Sequence, residues 1–394
     1  MTKRQITVGD IKLNSRAKTY LKRVLDTNRL TYGPFIKKFE QSFAKLHHCR
    51  FSIFTSSGTG ALQAGLAALK EFYGWRDGDE VLVPAISFIT TANIVYSLRL
   101  KPVFVDVEPD TFNLDPEQIL KHLSPKTRGL IPVHVLGLPA NMPAILKLAR
   151  RHRLKVLEDS CDAMFVGVAG KPVGSFGDLA AFSTYVAHLL PTGVGGFLTG
   201  NSKRLEQIAR SYIFHGRHQS YLSIDDDDQA KLKKALKNRF RFDRIGSHFR
   251  LTEMEAAIGL SQLKTGEYQV NIKKRQKLAA ALIKLLKPLE DKLQLPTIPA
   301  GFTHAFMMFP LVLKDKNIDK WDLIIYLEKN GIETRELLPL LNQPAYQKTF
   351  GRLENKYPVA KNLNQRAFYF GCHPGMTLKD VEYIADKFHE FFQK

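Results

Sequence analysis

One stretch near the middle of the chain, Phe182 to Gly196, reads FSTYVAHLLPTGVGG and combines reactive side chains with a flexible turn. Ser183 offers a hydroxyl group, and His188 offers an imidazole, which exchanges protons near neutral pH. The glycines at the end of the stretch permit backbone conformations that other residues avoid. The segment therefore has the pattern of a ligand-anchoring loop whose reactive position is held by His188.

A second polar turn, TSSGTGAL from Thr55 to Leu62, follows an apolar β-like run and opens a helical pattern. Backbone N–H groups at a helix N-terminus attract anions, and nearby hydroxyl groups add hydrogen-bond donors. Ser57, Gly58 and Thr59 are therefore candidates for a phosphate site. The same residues are equally typical of an ordinary helix cap.

Two more candidates come directly after other apolar runs. Asp159 lies in EDSCDA after one run, and Phe88 lies in VPAISFITTAN after another. Ligands of open α/β sheets bind at the carboxyl ends of strands, so both side chains are predicted at one rim. An aspartate at this place is frequent in sheet enzymes, and Phe88 is as typical of an apolar core as of a ligand site.

The elements that must position these residues are strands alternating with helices from residue 51 to about residue 200. This alternation predicts a mostly parallel sheet with crossover helices, and the continuously apolar strands indicate that both faces are covered. Helices are predicted over GTGALQAGLAALKEF and NMPAILKLARRH. The predicted strands are FSIFTS (51–56), EVLVP (80–84), PVFVDV (102–107), GLIPVHV (129–135), LKVLED (154–159), LAAFST (179–184) and GGFLTG (195–200).

The pattern changes after residue 251. A strongly helical stretch opens with a capping-box signature, Thr252 to Glu255, and continues to about residue 287. A Pro/Gly linker at 293–304 then leads to a second α+β pattern. The sequence therefore predicts an α/β protein with a large domain, residues 1–265, which includes an N-terminal helical segment, and a smaller C-terminal α+β domain, residues 266–394.

The charge and the cysteine content restrict the kinds of ligand and partner that the protein can have. There are 58 Lys and Arg residues against 38 Asp and Glu, a net charge of +20, which favours an anionic partner. No nucleic-acid-binding motif accompanies the charge, and the basic run 231–244 follows four aspartates at 225–228. Three scattered cysteines exclude a disulfide framework and a four-thiolate cluster, so no metal is predicted. Without a signal peptide or a membrane-spanning run, a cytoplasmic protein is expected.

Taken in order along nearly the whole chain, these motifs resemble the DegT/DnrJ/EryC1/StrS nucleotide-sugar aminotransferases. Those proteins are pyridoxal 5'-phosphate (PLP) enzymes of the fold type I transferase class. The matching stretches include SSGTGAL, GDEVLVPAISFITTANIV, KPVFVDVEPDTFNLDP, KVLEDSCDA, GSFGDLAAFS, TGVGGFLT, RLTEMEAAIGLSQL and GIETRELLPLLNQPAY.

The resemblance implies a role for each candidate. Ser57, Gly58, Thr59 and Ser183 would hold the cofactor phosphate, and Phe88 would stack on the pyridine ring. Asp159 would face the pyridine nitrogen and keep it protonated, so that the ring can accept electrons. The family usually has Gln in place of Asp162, beside the phenolic oxygen. It often has Asn in place of His248, reaching the neighbouring subunit's site. Substrate contacts are expected from His215, Arg250 and Arg335.

His188 stands where the family has the lysine that binds the cofactor covalently. Imidazole forms no stable Schiff base with an aldehyde, so PLP or pyridoxamine 5'-phosphate (PMP) is predicted to bind non-covalently. This replacement resembles the sugar 3-dehydratase branch, in which a histidine acts as base on a 4-keto sugar nucleotide. Glutamate is then the expected amino donor, and the substrate is a nucleotide-diphosphate sugar.

Other interpretations of the same residues stay open. The chain is also compatible with a nucleotide-sugar aminotransferase that uses a lysine from elsewhere, or with a non-catalytic member of the family. The segment FHGRHQSYLS and the basic residues after it resemble an insertion in the dehydratases. Members of the family are homodimers, and His248 and the helix after Thr252 are the expected interface.

Overall fold

A computed structural model describes residues 5–218 and 232–393 and places the predicted sheet at the centre of the molecule. Seven strands form it in the order β1-β9-β8-β5-β4-β2-β3. The strands, numbered along the chain, are β1 (Phe51–Thr55), β2 (Glu80–Pro84), β3 (Lys101–Val105), β4 (Thr127–Leu130), β5 (Lys155–Asp159), β6 (Gly167–Val168), β7 (Lys171–Pro172), β8 (Leu179–Ser183), β9 (Gly196–Gly200), β10 (Leu293–Gln294), β11 (Met308–Leu313), β12 (Thr334–Glu336) and β13 (Ala367–Gly371).

The direction of the strands decides where the site can form. Strand β9 runs antiparallel to both of its neighbours, β1 and β8, whereas the pairs from β8 to β3 are all parallel. Six of the seven strands therefore end at the same edge of the sheet, and β9 starts there. The expectation of an α/β fold with a mixed, mostly parallel sheet of the fold type I class is confirmed.

Helices cover both faces of this sheet. Neighbouring residues on one strand enter different apolar clusters: Val81 and Val83 face one side, and Leu82 faces the other. The helices of the described chain are α1 (Ser15–Thr27), α2 (Pro34–Leu46), α3 (Gly58–Phe72), α4 (Thr90–Ser97), α5 (Pro116–Ile119), α6 (Met142–Arg151), α7 (Lys203–Tyr212), α8 (Leu232–Asn238), α9 (Glu253–Thr265), α10 (Glu267–Leu286), α11 (Lys320–Lys329), α12 (Pro344–Phe350), α13 (Pro358–Arg366) and α14 (Leu378–Phe392).

The helical stretch after Thr252 is two helices rather than one. The Thr252 hydroxyl accepts a hydrogen bond from the N–H of Met254 at 3.2 Å and donates to the Glu255 carboxylate, which fixes the start of α9. Gly266 then adopts a left-handed conformation, with φ of 70°, and separates α9 from α10. Glycine tolerates this conformation because it has no Cβ atom. The predicted domain boundary coincides with this break and stays a prediction.

The C-terminal part contains a second, fully antiparallel sheet in the order β10-β11-β13-β12. The N-terminal segment joins it, because Ile6 pairs in parallel with Ile332 beside β12. The N–H of Val8 donates to the Glu333 carboxylate at 2.9 Å. Residues 5–10 therefore lie along the smaller sheet, although the sequence placed them in the large domain.

Neither a membrane-spanning helix nor a metal-binding cluster is found among the described residues. None of the helices in the two described ranges combines the length and apolarity needed to cross a membrane. Among these residues, no group of three or more His, Cys, Asp or Glu side chains is arranged to hold a metal ion. Cys49, Cys161 and Cys372 are free thiols.

Gly259 lies where α9 packs against α2, so a substitution there tests this contact. A Cβ atom there would lie 2.1 Å from Cζ of Phe39, whose ring is fully buried against Phe54 and Phe197. Because this ring has no free space, we expect Gly259→Ala to lower the free energy of unfolding by about 1–3 kcal/mol, measured by urea denaturation. Exposed Lys264→Ala on the same helix is the control, with a change within about 0.5 kcal/mol. Equal stability of both variants would contradict the rigid contact.

Candidate functional site

A cavity of about 760 Å³ opens at the edge of the sheet where the parallel strands end. It lies between the large sheet and the smaller one, since residues of both contribute to its wall. The structure brings together nine of the twelve candidate residues in this wall: Ser57, Gly58, Thr59, Phe88, Asp159, Asp162, Ser183, His188 and Arg335. The other three, His215, His248 and Arg250, lie elsewhere.

The N-terminus of α3 forms one end of the cavity. The Ser57 hydroxyl caps this helix by accepting from the N–H of Gly60 at 3.0 Å. A Cβ atom on Gly58 would lie 2.7 Å from Sγ of Cys161 and 3.0 Å from Cβ of Ser183, so only glycine fits between them. The helix dipole, the first N–H groups of α3 and the hydroxyl of Ser183 therefore converge, and this arrangement suits a phosphate group.

Phe88 supplies a flat apolar surface in the same cavity. Its side chain is 63% exposed, which is unusual for a phenylalanine that lines a cavity rather than the outer surface. The helix α4 begins two residues later, and Thr90 contacts Thr59 through their hydroxyl groups at 3.2 Å. An aromatic ligand stacked on Phe88 would cover this ring.

Asp159, at the carboxyl end of β5, is a buried acceptor. Its Oδ2 accepts a hydrogen bond from the Thr91 hydroxyl at 2.7 Å, and its Oδ1 accepts from the N–H of Cys161 at 3.2 Å. Burial raises the pKa of Asp159, whereas these two hydrogen bonds oppose the shift. No ion pair to this carboxylate is formed within the described chain, so its charge is available to a cationic ring nitrogen.

Asp162 is a second carboxyl group of the same wall. Its Oδ2 accepts from the N–H of Leu136 at 3.3 Å. Burial, followed by the charge of Asp159, raises the pKa of Asp162 to about 7. Leu136 itself has a left-handed backbone, with φ of 51°, so this contact holds an uncommon turn at the cavity wall.

His188 faces the cavity with a defined tautomer. Its Nδ1 lies 2.7 Å from the carbonyl oxygen of Cys161, which can only accept, so Nδ1 carries the proton and donates. The remaining nitrogen, Nε2, keeps its lone pair for a ligand in the cavity. Burial, with a smaller contribution from the charge of Arg275, lowers the pKa of His188 to about 4. The imidazole is therefore neutral at pH 7 and able to accept a proton.

Arg335 connects this cavity to a neighbouring groove of about 640 Å³. The two spaces share Phe88, Leu338 and Tyr369 as well as the arginine, and Trp321 lines the far side of the groove. The Arg335 guanidinium is ion-paired with Glu333, which also accepts from the N–H of Val8. The N-terminal segment therefore helps to orient the one arginine in the described wall of the cavity.

His215, His248 and Arg250 form a separate cluster beside the turn of Ser57, Gly58 and Thr59. The His215 and His248 rings lie 4.9 Å apart, and Nε of Arg250 donates to Nε2 of His248 at 3.2 Å. The Arg250 guanidinium also lies 3.9 Å from the Phe214 ring centroid. The expected substrate contacts of His215 and Arg250 are not formed within this chain's cavity, because the cluster points to the outside. The resembling insertion FHGRHQSYLS lies partly outside the described residues.

Sequence reasoning missed several residues of the wall. Thr91 orients Asp159, and Thr7, Val8 and Gly9 cover the cavity beside the His188 loop. A Cβ atom on Gly9 would lie 2.8 Å from Cα of Ala187, so the segment is in close contact with that loop. The paired threonines at the start of α4 were a visible signal, whereas nothing in the local sequence pattern connects residues 7–9 with the site.

The donor set fits pyridoxal 5'-phosphate. A helix N-terminus suits its phosphate, the exposed ring of Phe88 suits its flat ring, and the buried Asp159 suits a protonated ring nitrogen. With the strand order of the sheet, this defines the protein as an enzyme of the PLP-dependent fold type I class. The chain matches the sequence model of the DegT/DnrJ/EryC1/StrS aminotransferase family over residues 12–389 and belongs to that family.

Relatives in this family have more than one activity. An uncharacterized protein of Methanocaldococcus jannaschii is 32% identical over 367 residues, 92% of each chain. A GDP-perosamine synthase of Escherichia coli O157:H7 is 29% identical over 98% of each chain. The solved structure of an E. coli GDP-4-keto-6-deoxy-D-mannose-3-dehydratase with bound hydrated PLP is 25% identical, with a TM-score of 0.87 over 98% of this chain and 100% of that one. The protein is thus a nucleotide-sugar aminotransferase-family enzyme.

The tautomer of His188 can be measured directly. In the protein without ligand, we expect the ring to stay neutral with its proton on Nδ1 from about pH 8 down to about pH 5, because burial lowers its pKa to about 4. The measurement is nitrogen-15 NMR of the histidine rings, with His188→Asn to assign the signal. A titration midpoint at the ordinary value of 6.5, or a proton on Nε2, would contradict the geometry.

Proposed function

We propose that the protein is a PMP-dependent enzyme that removes the C3 hydroxyl group of a nucleotide-linked 4-keto sugar, with His188 as its base. One observation carries this proposal. Within the described chain no lysine lines the cavity, and the ring of His188 reaches it in the form that can accept a proton. A transaminase of this class needs an amine at this place to bind PLP covalently.

The cofactor is then held by non-covalent contacts alone. Ser57, Gly58, Thr59 and Ser183 would hold its phosphate, and Phe88 and Asp159 would hold its ring. The PMP form supplies an amine for the keto group of the sugar and a ring that accepts electrons. The E. coli dehydratase supports this proposal, because hydrated PLP carries water on its aldehyde carbon, which leaves no bond there to a protein amine.

His188 would act through Nε2. The carbonyl oxygen of Cys161 fixes the proton on Nδ1 and therefore the orientation of the ring. A neutral imidazole in the cavity takes up a proton from carbon at its free nitrogen, and burial keeps it from being protonated by solvent beforehand. A lysine at this position would instead form a covalent bond with the aldehyde of PLP.

The electron balance defines the co-reactant. Replacing the C3 hydroxyl group of the sugar by hydrogen is a two-electron reduction. The carbon that bears the amine of PMP would supply these electrons and end as the aldehyde of PLP, and the C3 hydroxyl group would leave as water. The amine nitrogen would be released as ammonia when hydrolysis restores the keto group of the sugar. Glutamate, oxidised to 2-oxoglutarate, would restore the amine. The proposed reaction is therefore a deoxygenation with glutamate as donor.

The substrate class is supported by charge and by the shape of the site. Arg335 stands where the cavity and the neighbouring groove meet, and a guanidinium fork binds phosphate oxygens in pairs. The net charge of +20 favours a diphosphate ligand. A sugar in the cavity and its nucleotide towards the groove would place the diphosphate near Arg335. A GDP-linked sugar is the first to be tested, because the E. coli perosamine synthase and the E. coli dehydratase are both named after GDP-linked sugars.

Variants of His188 separate the two reactions. With a GDP-linked 4-keto-6-deoxy sugar and glutamate, we expect His188→Asn to bind PMP but to lose about 10²–10⁴-fold in the rate of deoxygenation, because the base is gone. His188→Lys should bind PLP covalently and yield some amino sugar. Mass spectrometry after borohydride reduction should show a phosphopyridoxyl adduct on the lysine variant and none on the wild type.

Three results would contradict the proposal. A wild-type enzyme that makes an amino sugar and retains the C3 oxygen is an aminotransferase. A stoichiometric borohydride adduct on any lysine of the wild type would show that another amine serves the site. Cofactor binding without turnover in all variants and with several nucleotide sugars would point to a non-catalytic protein.

We further propose a homodimer through the surface around the His215, His248 and Arg250 cluster. Large apolar side chains are unusually exposed next to it, including Ile245 at 99% and Phe240 at 77%. Exposed apolar groups that gather in one region mark protein interfaces. A partner seated on this surface would lie beside the turn of Ser57, Gly58 and Thr59, since the carbonyl oxygen of Phe249 accepts from the N–H of Ser56.

Substituting the most exposed of these side chains tests the interface. We expect Ile245→Glu to shift the protein from dimer to monomer in analytical ultracentrifugation, because a buried unpaired charge opposes association. Val270→Glu, on the exposed face of α10, is the matched control and should leave the dimer intact. A monomeric wild type, or two dimeric variants, would contradict this surface as the interface.

A further inference from the structure

Asp159 and Asp162 place two carboxyl groups in the wall of one cavity, three residues apart at the end of β5. Neither forms an ion pair with a residue in the part of the chain that the structure describes. Two like charges in one enclosed space oppose each other, so the pair does not readily carry two negative charges. One of the two carboxyl groups is therefore expected to keep a proton near neutral pH.

The hydrogen bonds decide which carboxyl group keeps the proton. Asp159 accepts from the Thr91 hydroxyl at 2.7 Å and from the N–H of Cys161 at 3.2 Å, and both bonds stabilise its ionised form. Asp162 accepts only one long bond, from the N–H of Leu136 at 3.3 Å. This asymmetry places the negative charge on Asp159 and the proton on Asp162.

The other titratable groups around Asp162 agree with this assignment. Burial and then the charge of Asp159 raise its pKa to about 7. Burial raises the pKa of Tyr369 on β13 to about 12, so that phenol stays neutral. The neighbouring Cys161 thiol is also neutral, because burial raises its pKa. The remaining charged or titratable side chains that line the cavity are Tyr185, His188, Glu333 and Arg335.

We propose that Asp162 keeps its proton and donates its O–H group to the ligand in this cavity, while Asp159 on the same wall presents an ionised acceptor. The proposal rests on the proposed function, in which this ligand is PLP or PMP. Such a ring combines a protonated nitrogen with an anionic oxygen, so it needs an acceptor and a donor. Asp162 would then be a pH-dependent donor, whereas an amide side chain would be a permanent one.

The test is the pH dependence of cofactor affinity. Asp162 is protonated below about pH 7 and loses its proton above it, so the donor is present at low pH and lost as the pH rises. We expect the dissociation constant of wild-type protein for PLP, from fluorescence titration, to rise about tenfold between about pH 6 and about pH 8.5. PLP itself titrates in this range, so the comparison is with Asp162→Asn.

The asparagine variant keeps both contacts in a form that does not titrate. Its amide oxygen can accept from Leu136, and its NH₂ group can donate to the ligand at every pH. We expect the additional tenfold rise to disappear in Asp162→Asn and in Asp162→Gln, and to persist in the control Asp26→Asn, an exposed residue of α1. An infrared band of a protonated carboxyl group in the complex at about pH 6, absent from Asp162→Asn, is the second readout.

The outcomes distinguish this inference from the function on which it rests. If wild type and Asp162→Asn bind PLP with parallel pH profiles and the infrared band is unchanged, Asp162 is not the donor, and the proposed function stands. If the band disappears in Asp159→Asn but not in Asp162→Asn, the proton lies on Asp159 and the inference is wrong. If wild-type protein binds neither PLP nor PMP at any pH, the proposed function fails together with it.

Discussion

The site depends on close contact between backbone segments at Gly196, where a side chain would not fit. Strand β9 enters the sheet between β1 and β8 there, so Gly196 lies opposite both Thr55 and Ser183. A Cβ atom on it would come within 2.5 Å of the N–H nitrogen of Gly58 and within 2.6 Å of the carbonyl oxygen of Phe182. Because no side chain separates these three backbone segments, the turn of Ser57, Gly58 and Thr59 lies next to the hydroxyl of Ser183. The other residues of the cavity wall surround them.

The neighbouring pair Glu158 and Asp159 shows how one strand serves both the scaffold and the site. Successive side chains of a strand point to opposite faces, so the two carboxylates are separated by the sheet. Glu158 accepts from the N–H groups of Gly174, Phe176 and Gly177 and thus holds a loop on one side. Asp159 faces the cavity on the other side. A shift of β5 by one residue would exchange the carboxylate that holds the loop and the carboxylate that faces the cavity.

Local patterns predicted most of the fold. The apolar run EVLVP coincides with β2, and GTGALQAGLAALKEF coincides with α3, because burial on both faces and helical periodicity leave clear local signals. The positions of Ser183 and His188 followed from the motif itself. The antiparallel direction of β9, the contact of Gly9 with Ala187 and the tautomer of His188 could not be predicted, because each depends on residues distant in sequence. Likewise, Arg250 lies in one of the matching motifs but outside the cavity, and the motif alone does not indicate on which side of the turn its side chain lies.

The N-terminal segment has a consequence for how the protein matures. Val8 and its partner Glu333 are 325 residues apart in sequence. A chain growing on the ribosome therefore carries residues 5–10 without their binding place until nearly all of it has been made. Loop closure over such a distance is slow compared with the formation of local helices. The wall beside His188 is consequently among the last parts to be completed, whereas the strands β1, β8 and β9, which position Gly58 and Ser183, all lie within the first 200 residues.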